Sequence, residues 1–138
     1  FANSGKPLVF VGNWRRNEYS RTLKEKYGNC SNIKLLDSIY DLDILYTLRS
    51  NARYYIHGHS AGGTNPSLVE AMFLGRPVLA YDVVYNQETT HHKAYYWQNS
   101  QELQRLVERN DLTGEDIMRI AQKHYTWKSI TQQYEELY

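Results

Sequence analysis

The chain has 138 residues, with 16 basic and 15 acidic side chains and a net charge of +1. That length supports one domain with a real core, and that charge balance argues neither for nor against nucleic acid. A lone cysteine, Cys30, excludes an internal disulfide and fits a reducing compartment, no apolar run approaches the ~20 residues needed to span a bilayer, and no secretory signal opens the chain.

The predicted elements alternate. "PLVFVG" (7–12) is a continuous apolar run closed by Gly12, the pattern of a strand buried on both faces. "EYSRTLKEKYG" (18–28) spaces Tyr19, Leu23 and Tyr27 as a helix with Gly28 as its stop. "NIKLLDS" (32–38) is a second strand, and "DLDILYTLRSNA" (41–52) is a helix with Leu42, Leu45 and Leu48 on one face. "RYYIHGH" (53–59) is a third strand. "NPSLVEAMFLG" (65–75) is a helix that Asn65 can cap, Pro66 can open and Gly75 can end. "RPVLAYD" (76–82) is a fourth strand, followed by a loop and a short edge strand at Tyr95, Tyr96 and Trp97. "SQELQRLVERN" (100–110), "TGEDIMRIAQKHY" (113–125) and "TWKSITQQYEELY" (126–138) are the closing helices.

Strands alternating with helices predict an α/β fold, a Rossmann-like parallel sheet with helices on both faces. Ligands of such sheets sit at the carboxyl ends of the strands. The loops there are Gly12–Arg16, Asp37–Asp41, Gly58–Asn65 and Asp82–His92.

One of these loops is chemically specific. Gly62 and Gly63 precede a helix start, where convergent backbone N–H groups and the helix dipole favour an anion. Thr64, Asn65 and Ser67 add hydrogen-bonding capacity, and no Walker lysine is present. Glu70 leans back towards the same opening. A carboxylate repels phosphate but accepts from sugar hydroxyls, so a nucleotide's ribose suits it; a tight turn and a solvated glutamate are the plain alternative. His57 and His59 share a strand face and, with His91 or His92, could bind zinc; hydrogen bonding to hydroxyls or phosphate is the other reading, with His59 nearer the loop. "DLD" (41–43) opens a helix rather than a metal site, and no carboxylate pair of glycosidase type occurs in the strand-end loops. The 13 tyrosines and three tryptophans fit packing, domain contact or an open interface.

The block "GHSAGGTNPSLVEAMFLGRPVLAYDVVYNQET" resembles the donor-binding segment of retaining, GT-B fold glycosyltransferases of the group 1 / family 4 type. It is most similar to bacterial rhamnosyltransferases of surface-polysaccharide assembly. "LVFVGNWRRNEYSRTLKEKY" and "IKLLDSIYDLDILYTLRSNARYYIHGHS" follow the same order, and "YTWKSITQQYEELY" is similar to the terminal helix. The family has two glutamates separated by seven residues. Glu70 matches the second, a ribose ligand; the first falls on Gly62, so that side chain is lacking. The resemblance implies that Gly63, Thr64 and Asn65 face the donor's phosphates and sugar, that Gly12 and Asn13 line the nucleotide pocket, and that Asp37 to Tyr40 lie by the base. Asn86 and Glu88 fall on a loop facing the donor sugar.

The resemblance also implies a single partial domain, residues 1–138, of a larger two-domain enzyme. The opening strand with its Arg and Lys for the diphosphate, and the N-terminal acceptor domain, are expected outside this chain; Arg15 and Arg16 do not replace that pair. The implied reaction transfers a sugar, rhamnose by resemblance, from a nucleotide sugar to a glycan or lipid-linked acceptor, with front-side attack and no bound metal or cofactor. No catalytic residue is assigned. The implied protein is bacterial and cytoplasmic, with attachment at the inner membrane face and homodimer formation through an exposed interface as further expectations. A non-catalytic nucleotide-sugar binding module and an aromatic-faced scaffold domain are the alternatives.

Overall fold

A computed structural model describes residues 1–136, except the side chains of Gln133 and Tyr134. The chain divides into two compact units, Phe1–Leu48 and Arg49–Tyr138. Among the described residues all strand pairing is parallel, in a two-stranded and a three-stranded sheet.

The first unit holds strand β1 (Leu8–Val11), helix α1 (Glu18–Tyr27), strand β2 (Ile33–Leu36) and most of helix α2 (Leu42–Ser50), which runs across the division. β1 pairs with β2 from Leu8↔Ile33 to Val11↔Leu36. Asn17 caps α1 by accepting from the Ser20 amide and hydroxyl, with Glu18 in the first turn and Lys24 and Lys26 in the last, charges that suit the helix dipole. Asp41 caps α2 by accepting from the amides of Asp43 and Ile44, so "DLD" is a helix start, as its sequence suggests.

The expected two-faced burial of β1 is not observed. Val9 and Phe10 are 47% and 51% exposed, because β2 is the only strand paired with β1 among the described residues. Trp14 is the buried anchor of this unit: its ring meets Phe10 edge-on, 5.1 Å between centroids, and its indole N–H donates to the Leu36 carbonyl at 2.6 Å.

The second unit holds strand β3 (Tyr55–His57), helix α3 (Pro66–Met72), strand β4 (Val78–Tyr81), helix α4 (Val84–Thr89), strand β5 (Tyr95–Trp97) and helices α5 (Ser100–Glu108), α6 (Glu115–His124) and α7 (Trp127–Glu135). The end of the last expected helix, residues 137–138, lies outside the described residues. The ladder runs β3-β4-β5, so β5 takes the edge expected of it. Central β4 buries Val78, Leu79 and Ala80 completely or nearly so. Leu68 and Met72 of α3 and Ile117 and Ala121 of α6 close over Val78 and Ala80. Gly114 lets α6 start there: a Cβ at 114 would lie 2.4 Å from the Gly75 carbonyl oxygen.

Helix α4 stands where the sequence predicts a loop. "VYNQET" has no apolar period and modest helix propensity, and tertiary contacts decide its state. Its exit is fixed by the Thr89 and Thr90 hydroxyls, which donate back to the carbonyls of Tyr85 and Asn86.

Candidate functional site

At the C-terminal end of β3 the chain leaves the ladder as an exposed run from Gly58 to Thr64. Gly62 adopts φ +98°, where only glycine is unstrained, and neither Gly62 nor Gly63 has a heavy atom within 4 Å of where a Cβ would point. At 62–63 the run therefore presents bare backbone to solvent. Asn65 ends it: its side-chain oxygen accepts from the Ser67 amide at 2.9 Å, and its carbonyl accepts from Leu68 and Val69. Asn65 and Ser67 thus serve each other at the start of α3, as the capping pattern predicts. The helix itself is seven residues, shorter than the expected 65–75.

Glu70 sits one turn into α3, on the side away from Leu68, Ala71 and Met72, which are buried. Its carboxylate is ion-paired and more than half exposed. Oε2 lies 2.7 Å from Nη1 of Arg49, in the last turn of α2. The Arg49 guanidinium in turn lies 5.8 Å from the centre of the Tyr55 ring. Burial pushes the Tyr55 hydroxyl up, with Arg49 pulling it down and Glu70 pushing it up again.

A stripe of rings runs along one face of β3, as a two-residue period requires. Tyr55 stacks on His57 and His57 on His59, the latter pair 5.4 Å apart and 17° from parallel. His57 is 3% exposed and its Nε2 has no hydrogen-bond partner; burial first, then the neighbouring His59, lowers it to about 4, so it is neutral at ordinary pH. His59 is exposed.

The expected loop residues Asn86 and Glu88 lie on α4. Asn86 is buried, and its amide nitrogen donates to the carbonyls of His59 and Tyr81 at 2.9 and 2.8 Å. The side chain therefore joins the ends of β3 and β4. Glu88 is exposed, 3.6 Å from Nε2 of His92. His91 and His92 follow with φ of 47° and 58°, and His91 stacks on His124 at 4.4 Å. Of the histidines weighed for zinc, His57 and His59 stack together, His91 stacks on His124 and His92 faces Glu88, and no group of three or more metal-ligating side chains is gathered among the described residues.

Gly12 and Asn13 belong to the first unit. The Gly12 amide donates to the Leu36 carbonyl, extending the β1–β2 ladder, and the Asn13 side chain accepts from the Arg15 amide in a tight turn. In the same unit, Asp41, Asp43, Ile44, Thr47 and Leu48 line a shallow hollow of about 300 Å³.

The second unit thus groups His59, Gly62, Gly63, Thr64, Asn65, Ser67 and Glu70 along β3, its exit and α3, with Asn86 at the root. Sequence reasoning missed Arg49. It lies 21 residues from Glu70 on a different helix, and no local spacing announces such a pair.

No protein-family model matches this chain, and no curated protein matches it. Among solved structures, the chain is similar to Anabaena Alr3699/HepE in complex with UDP-glucose, with a TM-score of 0.77 at 22% identity. The match covers 95% of this chain and 40% of that one, so this chain spans well under half of that protein's length. The likeness establishes the fold: a Rossmann-like α/β arrangement of parallel strands flanked by helices. Among the described residues no helix is long and apolar enough to cross a membrane.

Proposed function

We propose that this chain is the donor-binding part of a glycosyltransferase that uses a nucleotide sugar. The observation that carries this reading is the pairing of two features at one strand. An exposed glycine-bearing run leaves the carboxyl end of β3, and one turn into the next helix stands a more than half-exposed carboxylate, Glu70. The first suits a diphosphate, which backbone can approach closely where there are no side chains. The second suits vicinal hydroxyls, which need acceptors. A nucleoside diphosphate sugar has both within one molecule, and the solved structure of similar fold holds UDP-glucose.

In this reading Glu70 accepts from ribose hydroxyls, and the Gly62–Thr64 backbone faces the diphosphate and sugar. Ser67, His59 and Glu88 serve the same donor. Asn86 acts by holding the root of the loop. The transfer breaks the bond between the anomeric carbon and the diphosphate oxygen and forms one from that carbon to an acceptor hydroxyl, whose proton leaves with the diphosphate. Position 62 offers only backbone to the donor sugar, which suits front-side attack with retention and no protein nucleophile. Rhamnose as the sugar and a polysaccharide as the product belong to the proposal through the sequence resemblance. So do the acceptor domain and the opening strand with its basic pair, supplied by other parts of a longer protein. The cytoplasmic, membrane-peripheral setting, the homodimer and the independence from metal belong to it too.

The test is calorimetric titration of the full-length protein with UDP, dTDP, GDP and their sugars. Binding of one nucleotide, weakened but still measurable in Glu70→Gln, and turnover of its sugar support the proposal. Binding without turnover leaves a donor-binding module only. No binding of any nucleotide overturns it.

A further inference from the structure

We propose that Arg49 is the positioning residue of this site, holding the Glu70 carboxylate in place and cancelling its charge so that it can accept from hydroxyls beside a diphosphate. This inference rests on the donor-binding reading above.

The pair is unequal. The Arg49 side chain is 20% exposed and that of Glu70 is 56% exposed. Arg49 is the fixed member, at the end of α2 where a cation suits the helix dipole and over the Tyr55 ring, which itself packs on the core. Glu70 is the presented member. An ion pair with so exposed a carboxylate contributes little to stability, so stability alone does not account for the arrangement. A use in ligand binding does. A bare carboxylate next to two phosphates adds a repulsive term, and a mobile one must be ordered on binding. A guanidinium at 2.7 Å meets both difficulties: it offsets the charge and fixes the rotamer. Glu70 then reads hydroxyls without driving off the anion attached to them.

The experiment titrates full-length protein with UDP and with uridine, comparing wild type, Arg49→Met, Arg49→Lys, Glu70→Gln and the Arg49→Met/Glu70→Gln double variant. We expect Arg49→Met to weaken UDP by roughly tenfold to a hundredfold, the loss typical when the outer partner of a metal-ligating side chain is removed. Uridine, without the phosphates, weakens less, and added salt recovers part of the UDP loss by screening. Arg49→Lys restores part of the affinity. The double variant binds UDP no worse than Glu70→Gln alone, since Arg49 acts through Glu70. Additive losses in the double variant, or equal losses for UDP and uridine, overturn the inference, and so does wild-type affinity in a folded Arg49→Met. Those outcomes leave the donor-binding reading standing. No UDP, dTDP or GDP binding by the wild type removes both.

Discussion

Strands β1 and β4 are built from similar residues, Leu-Val-Phe-Val and Val-Leu-Ala-Tyr, and end up in opposite environments. β4 lies between β3 and β5 with α3 and α6 packed on its unit's core, and Leu79 is 0% exposed. β1 has β2 alone, and its two central side chains stand about half in solvent. An apolar run fixes that a strand will form; the number of strand neighbours fixes how much of it is buried. The same difference separates the two units. The second closes a core of six buried side chains, whereas the first leans on Trp14 and Ile33.

The comparison can be broken from the buried side first. Leu79→Ala removes a fully enclosed side chain and is expected to destabilise the second unit by about 2–5 kcal/mol, read as a lower midpoint in denaturant unfolding. Gly114→Ala places a Cβ against the backbone at Gly75 and Arg76, which must shift. We expect about 1–3 kcal/mol of destabilisation, visible in the same assay and without loss of secondary structure by circular dichroism.

A pH titration sharpens the contrast through His57. Its folded value, about 4, lies below the ordinary 6.5, so the unfolded chain takes up the proton first. The contribution of neutral His57 is therefore full above 6.5 and is lost as pH falls from there towards 4. His57→Leu should flatten that part of the stability–pH curve; an unchanged slope would show that His57 is not its source. The smallest effect is expected at β1: Val9→Thr, on a half-exposed face, should stay within about 0.5 kcal/mol. A larger loss by the same unfolding measurement would mean that β1 is covered in solution.

The alternation of strands and helices was legible because each element carries its own local marks. Asn65 before Pro66 announced the α3 start, and the apolar run in "RPVLAYD" announced a strand. The glycine run at 62–63 was legible for the same reason. What escaped depends on neighbours distant in sequence. Val9 looks as apolar as Val78, α4 is held by its exit hydroxyls and by Asn86, and Arg49 meets Glu70 only once β3 and α3 have folded. Asn86 shows this most clearly. The resemblance puts it on a loop facing the donor sugar, and only the fold reveals that it is buried with its amide on two backbone carbonyls.

That double hydrogen bond has a mechanical consequence. With one hydrogen on each carbonyl, the Asn86 amide works as a rivet through the roots of two successive strand exits. The His59 backbone cannot lift without tugging on α4, so the bare glycine segment beyond it springs from a pinned base.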